Sequence, residues 1–160
     1  MKLTDTELQF LERAIALSQE GMMSGQGGPF GCVVVQHDKI IAEGNNRVLV
    51  ENDPTAHAEV VAIRKACDLL GSWQLTDCDI YTSCEPCPMC LGAIYWARPK
   101  RVIYANSKEE AAAIEFDDDF IYKQINTATV ERNIPFFHVP HPDAKKVFEF
   151  WKSWEDKVKY

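Results

Sequence analysis

The sequence predicts an α/β fold in which helices cover both faces of a mixed sheet of roughly five strands. Segments rich in β-branched residues alternate with segments whose apolar residues recur at helical spacing, and the first two strands are arranged as a hairpin. With 46% of its 160 residues apolar, the chain can bury one sizeable core. Since no change of composition marks a linker, we expect a single domain over residues 1–160.

The first part of the chain predicts a helix followed by the hairpin. Between residues 4 and 25 the apolar side chains recur at helical spacing, and Thr4 or Asp5 can cap the segment. The strands CVVVQ and KIIAEG follow. They are separated only by His37 and Asp38, which is typical of a hairpin turn.

The rest of the chain alternates between the two kinds of element. Residues 52–71 predict a second helix, with Asp53 as its cap, Pro54 in its first turn and Gly71 at its end. A third helix follows the segment PCPMC. Strands are expected at residues 78–84, 101–106 and 132–140, and an amphipathic helix at 143–160.

Charge and hydropathy argue against two classes of partner. The formal net charge of −7 disfavours a broad basic face for nucleic acid. The first residues are polar and contain acids, so they lack the apolar centre of a signal peptide, and no apolar run reaches membrane-spanning length. We therefore expect a cytoplasmic protein that binds neither nucleic acid nor membranes.

Three cysteines at a spacing of three, Cys84, Cys87 and Cys90, indicate a metal site. An iron–sulfur cluster of the bacterial ferredoxin type would require a fourth cysteine at position 94, which is Ile94. Pro88 suits the first position of a helix, which makes Cys87 its cap and places Cys90 in its first turn. There the helix dipole favours thiolates, so this pair is the expected ligand pair, with Cys84 as a neighbour.

Two thiolates require a further ligand, and His57 is the candidate because it opens a predicted helix. His57, Cys87 and Cys90 would leave a fourth position open, as in a catalytic zinc site with a bound water. Glu59 is the expected proton carrier for that water. Residues two apart on an ideal helix point to different sides. Glu59 can therefore reach the metal only if His57 lies at an irregular helix start, or if the Glu59 side chain bends back toward the metal.

The motifs His57-Ala58-Glu59 and PCPMC match the H-x-E … P-C-x-x-C signature of the zinc-dependent nucleobase deaminases. The similarity to that superfamily runs from about Glu7 to Tyr104. Over nearly the whole chain, including GGPFG, NDPTAHAE and YTSCEPCPMCLGAIYWARPK, the sequence resembles the small bacterial guanine deaminases. The resemblance implies a three-layer α/β/α fold of the cytidine deaminase type.

The resemblance also implies an activity and a set of site residues. The activity is hydrolysis of guanine to xanthine and ammonia in purine metabolism, with one zinc ion per chain, a catalytic water as fourth ligand and Glu59 transferring protons. Asp118 would lie near the departing amino group, although Asp117 or Asp119 could take this role. The residues expected to contact the base are Phe30, Asn46, Ala58, Trp96 and Tyr160.

Guanine deaminases of this type form homodimers in which the C-terminal segment closes the partner's site. The resemblance therefore suggests that residues 143–160 are swapped between two subunits, with Tyr160 reaching the neighbouring pocket. Four other substrates stay open: tRNA adenosine, cytosine, guanosine and an aminotriazine. A different class of protein is a structural zinc module in which Cys84 completes a closed ligand shell.

Overall fold

A computed structural model of the chain describes residues 2–116 and 118–160. The chain divides into two compact units, Met1–Phe120 and Ile121–Tyr160. Within the described residues, no helix combines the length and the apolar character needed to cross a membrane.

The first unit contains one mixed sheet and most of the helices. Its elements are α1 Asp5–Met23, β1 Gly31–Gln36, β2 Lys39–Asn45, α2 Val48–Glu51, α3 Ala58–Leu70, β3 Cys78–Cys84, α4 Pro88–Ala97, β4 Arg101–Asn106 and α5 Lys108–Ala112. The strand order is β2-β1-β3-β4; β1 is antiparallel to both neighbours, and β3 is parallel to β4. The predicted α/β class and mixed sheet are confirmed.

The sheet has four strands within the described residues, rather than the predicted five or so. The sequence predicts a strand at residues 132–140, but this segment forms neither a helix nor a strand. It contains only bends and irregular backbone. Pro135 and Pro140 lack the N–H group that a strand needs to pair within a sheet. The segment therefore does not form a strand, although its β-branched and aromatic residues are typical of one.

Residues of β1 alternate between two clusters of buried side chains, as the two-residue period of a strand requires. Cys32 and Val34 belong to a cluster that includes α3 and α4. Val33 and Val35 belong to a second cluster that includes α1 and Tyr81 of β3. Helices α1 and α3 therefore pack against opposite sides of β1, and the start of α3 lies beside the start of α4.

The predicted hairpin is confirmed, and its turn has left-handed backbone at both central residues. His37 has φ 49° and Asp38 has φ 56°. Left-handed conformations at both positions are those of a type I′ turn, whose twist matches that of the two strands it joins.

Helix α3 begins at Ala58, four residues later than a helix capped by Asp53 would begin. Asp53 does not cap it. Instead the Asp53 carboxylate accepts hydrogen bonds from the backbone N–H and the hydroxyl of Thr55, at 2.8 and 2.7 Å. This local turn competes with helix formation, which is characteristic of aspartate before a helix. The predicted end at Gly71 is correct, with φ 58° at that residue.

The second unit is helical where it is regular. Helix α6, Asp119–Asn126, enters it and is followed by a 3-10 helix at Thr129–Glu131 and by α7, Pro142–Ser153. The predicted terminal helix therefore begins as expected and ends earlier. None of the α7 residues is buried in the chain, and Trp154 contacts Phe150 and Trp151 at ring separations of 6.0 and 5.7 Å.

Candidate metal centre and active site

His57 lies immediately before helix α3 and forms its N-cap. Its backbone is extended, with φ −71° and ψ 155°, whereas Ala58 is the first helical residue. Glu59 is therefore the second helical residue, and the ideal-helix geometry that would separate the two side chains does not apply to this pair. The irregular helix start that the sequence analysis requires is present.

Cys87 and Cys90 lie at the beginning of helix α4, as predicted. Cys87 is the N-cap, its Sγ accepts a hydrogen bond from the backbone N–H of Cys90 at 3.5 Å, and Pro88 occupies the first helical position. Both thiols are thus held at the positive end of a helix, where thiolates are favoured.

These three side chains form the one cluster of possible metal ligands found among the described residues. His57 Nδ1 lies 3.5 Å from the Sγ atoms of both Cys87 and Cys90, and all three atoms lie within 4.8 Å of one another. Bond lengths of about 2.3 Å to sulfur and about 2.0 Å to nitrogen in a tetrahedral zinc site place nitrogen and sulfur about 3.5 Å apart. The donor set therefore fits zinc.

The electrostatics of the cluster also suit a cation. A hydrogen bond from Cys90 keeps the pKa of the Cys87 thiol well below its ordinary value, and the hydrogen bond with His57 adds to this effect. The same hydrogen bond with Cys87 raises the pKa of the imidazole of His57. One thiolate is thus favoured before any metal binds, and a divalent cation would favour the second.

Glu59 carries a buried carboxyl group beside this cluster. Its side chain is only 6% exposed, and its Oε1 accepts a hydrogen bond from the Thr82 hydroxyl at 3.3 Å. Burial raises the pKa of the Glu59 carboxyl above its ordinary value. A buried carboxylate that binds a proton more readily than a solvated one is suited to act as an acid and base in a site.

The cluster and Glu59 open onto a cavity of about 480 Å³ in the first unit. Two aromatic rings form part of its wall: Phe30 and Phe116 pack edge to face at 4.9 Å between ring centres. Other lining residues include Gly28, Asn46, Leu49, Pro54, Glu85 and Asp118. The combination of apolar walls with a few polar groups is typical of a site for a small heterocycle.

The Asn46 carboxamide is held by the backbone around it. Its Oδ1 accepts hydrogen bonds from the N–H groups of Gly28 and Val48, at 3.3 and 3.2 Å. A side chain at Gly27 would approach this same oxygen to 2.1 Å, so the close contact requires glycine there. With Oδ1 committed to the backbone, the Nδ2 group is the part of Asn46 that can serve a ligand.

Of the two acids that the structure describes in this run, Asp118 lines the cavity and is half-buried. Asp119 is exposed at the start of α6, and Asp117 lies outside the described residues. Phe116 and Glu85 also line the cavity, and neither was predicted as a site residue. Phe116 directly precedes the three acids, and Glu85 directly precedes the PCPMC motif. Their position beside predicted site residues was the signal that could have identified them.

Two residues expected in the site, Trp96 and Ala58, do not line this cavity. Trp96 is 65% exposed on a face of α4 other than that of Cys90 and Ile94. Ala58 is fully buried in the core cluster. Tyr160, which is expected in the partner's pocket, belongs to the second unit, and its role stays a prediction.

Cys84 lines the cavity as a neighbour of the cluster and is not one of its ligands. Its Sγ donates a weak hydrogen bond to the Ser107 carbonyl oxygen at 3.6 Å, and burial raises the pKa of the thiol to about 11. The group of possible ligands whose donor atoms lie within 4.8 Å of one another contains His57, Cys87 and Cys90 and does not contain Cys84. This arrangement disfavours a closed shell with three sulfur ligands.

Fold and site together define a class of protein. Residues 4–106 match the family described as the cytidine and deoxycytidylate deaminase zinc-binding region. The chain belongs to this family, in agreement with the motifs that its sequence contains.

Within that class, the chain is similar to the guanine deaminase of Bacillus subtilis (strain 168). The two are 57% identical over 151 residues, covering 94% of this chain and 97% of the relative. An X-ray structure of guanine deaminase from Bacillus subtilis matches with a TM-score of 0.94 and 54% identity, covering 99% of each chain. A tRNA-specific adenosine deaminase of Agrobacterium fabrum is 42% identical over 87 residues, covering 54% of this chain and 57% of the relative.

Proposed function

We propose that the protein is a zinc-dependent hydrolase that converts guanine to xanthine and ammonia. The observation that carries this proposal is the buried Glu59 carboxyl beside the cluster of His57, Cys87 and Cys90, at the base of a cavity with aromatic walls. The high identity to a guanine deaminase over nearly the whole chain supports guanine as the substrate.

His57, Cys87 and Cys90 would hold one zinc ion per chain, with water in the fourth position. When bound, zinc supplies the Lewis acidity that allows a water molecule to ionise near neutral pH.

Glu59 transfers the protons of the reaction. Its carboxylate takes a proton from the attacking water and delivers it to the ring nitrogen next to C2 of guanine. A bond forms between the water oxygen and C2, and the bond between C2 and the amino nitrogen then breaks. Glu59 then takes the remaining proton from the new hydroxyl group on C2 and transfers it to the departing amine, so that the C2 carbonyl of xanthine forms, ammonia leaves and the carboxylate is restored.

The remaining polar groups of the cavity suit the edge of guanine. Guanine presents N–H donors at its ring and at its amino group, and the Asp118 carboxylate is a matching acceptor. The Nδ2 group of Asn46 is a donor for an acceptor atom of the base. Phe30 and Phe116 provide apolar surface for the flat ring.

The proposal is tested by following ammonia release from guanine, guanosine, adenine, cytosine, an aminotriazine and a tRNA anticodon stem-loop. Glu59→Ala is the inactive variant, and Glu109→Gln, at an exposed position outside the cavity, is its matched control. We expect ammonia from guanine with wild type and Glu109→Gln, and none with Glu59→Ala. Release from another substrate, without release from guanine, would contradict the assignment.

A second candidate function is deamination of adenosine in tRNA, which the Agrobacterium relative supports over about half of this chain. The net charge of −7 disfavours it, because phosphate contacts depend on lysine and arginine. The stem-loop substrate distinguishes the two. Location in the cytoplasm stays a prediction of the sequence.

We also propose that the active form is a homodimer in which the segment at 143–160 of one subunit closes the other's site. The aromatic residues of this segment support the proposal: Phe148 is 79% exposed and Phe150 is 66% exposed in the chain. So much exposed aromatic surface is characteristic of an interface.

A mixing experiment tests the exchange directly. One inactive variant carries Glu59→Gln, and the other lacks Tyr160. In a swapped heterodimer the subunit with intact Glu59 receives Tyr160 from its partner, so refolding the two variants together restores activity at one of two sites. If each tail served its own subunit, the mixture would stay inactive.

A further inference from the structure

Thr82, a residue of β3, presents a buried hydroxyl group to two acceptors. The residue is 1% exposed, and its Oγ1 lies 3.3 Å from both Glu59 Oε1 and the carbonyl oxygen of Gly31. A hydroxyl has one proton to donate. An ionised carboxylate is a stronger acceptor than a carbonyl, so the proton is directed to Glu59 when Glu59 is a carboxylate.

Thr82 does not line the cavity, so it has no direct route to a substrate. Its hydroxyl is connected to the site through the hydrogen bond to Glu59. The neighbouring Ser83 offers a comparison on the same strand, because it is also buried and its Oγ accepts a hydrogen bond from the Gly31 N–H at 3.0 Å. Ser83 therefore makes a hydrogen bond to the backbone of Gly31. Thr82 also contacts the backbone of Gly31, and in addition it contacts the proton carrier, Glu59.

We infer that Thr82 is a positioning residue for the reaction, which holds Oε1 of Glu59 so that the other carboxylate oxygen faces water and substrate. The long, buried Glu59 side chain reaches the cavity from the second position of α3, and one hydroxyl on the sheet restricts the rotation of its carboxyl group. This inference rests on the proposed function, since it assigns a role in that reaction.

The test compares Thr82→Val, which removes the hydroxyl at nearly constant volume, with Thr82→Ser, which keeps it. We expect kcat of Thr82→Val to fall about 10-fold to 100-fold, as for a displaced catalytic group. KM and zinc content should stay at the wild-type values, because Thr82 touches neither substrate nor the ligand cluster. Thr82→Ser should restore most of kcat.

Ser83→Ala is the matched control. It removes a buried hydroxyl from the next residue of β3 without affecting Glu59, so it should lower the melting temperature and leave kcat unchanged. A purely structural Thr82 would behave in the same way. The inference is overturned if Thr82→Val retains wild-type kcat, or if Thr82→Ser loses as much activity as Thr82→Val.

A crystal structure of Thr82→Val gives a readout that is independent of turnover. We expect the Glu59 carboxyl to be rotated or divided between two orientations, and an unchanged carboxyl would contradict the inference. If Thr82→Val does not fold, Thr82→Ala takes its place in both measurements. If wild type releases no ammonia from guanine, only the proposed substrate is refuted. The Thr82 variants would then be compared on the substrate that does release ammonia, or by their crystal structures.

Discussion

Burial determines the chemistry available to Glu59. Desolvation raises the pKa of the Glu59 carboxyl above that of a solvated glutamate, so this carboxylate binds a proton more readily. The same burial is unfavourable for stability, because a carboxylate is hard to ionise away from water. Activity and stability therefore place opposite demands on this residue.

Glu59→Gln should separate these two demands. The amide keeps the size of the side chain and an oxygen that accepts from Thr82, but it cannot transfer protons. At neutral pH we expect activity to fall about 10²-fold to 10⁴-fold, with no decrease in melting temperature. Ammonia release and calorimetry measure the two effects, and a marked loss of stability would show that Glu59 has a structural role.

Substitutions of Cys84 and Cys90 should differ in their effect on metal binding. Cys90→Ala removes a ligand and should abolish stoichiometric zinc. Cys84→Ala removes a neutral thiol that is hydrogen-bonded to Ser107, and this variant should still bind stoichiometric zinc. Zinc content of the purified variants measures the difference. Loss of zinc in Cys84→Ala would instead support the structural zinc module.

At the scale of elements, side-chain bonds hold α1 against the sheet. The Arg13 guanidinium donates to both carboxylate oxygens of Glu43 on β2, at 2.8 Å each, and also to Glu20 of its own helix. The hydrogen bonds from Arg13 hold the pKa of Glu43 below its ordinary value. A depressed pKa in the folded state means that the ionised form stabilises the fold.

This pair predicts a pH dependence of stability. Because the folded pKa of Glu43 is depressed, its contribution is fully present above the ordinary value of 4.5 and is lost as pH falls through the lower, folded pKa. The difference in free energy of unfolding between wild type and Glu43→Gln should be constant above that pH and shrink below it. Urea unfolding from pH 3 to 7 measures the difference, and a gap that widens toward acid would contradict the assignment.

For the whole molecule, metal binding should be coupled to folding. His57 precedes α3, whereas Cys87 and Cys90 begin α4, so one ion would join two helices that are distant in sequence. Any ligand that binds only the folded state stabilises it. Removing zinc with a chelator should abolish activity and lower the melting temperature, and adding zinc should restore both. An unchanged melting temperature would indicate that the helix ends are held without the ion.

The sequence by itself determined the family, and it predicted which residues would serve as metal ligands and proton carrier. Each of these depends on short spacings and on helix caps, which are local in the chain: Pro88 places Cys87 and Cys90, and His57 lies two residues before Glu59. The hairpin at His37 and Asp38 was predictable for the same reason. The α/β class followed from the periodicity of whole segments.

Only the tertiary structure decided where α3 begins and which residues surround the cavity. The start of α3 depends on competition between a helix and the turn at Asp53, which periodicity does not reveal. The orientation of Asn46 depends on Gly28, and the orientation of Glu59 depends on Thr82; both pairs meet through the packing of separate segments. Long-range contacts such as these leave no spacing pattern in the sequence, because they are determined by the three-dimensional arrangement of the elements.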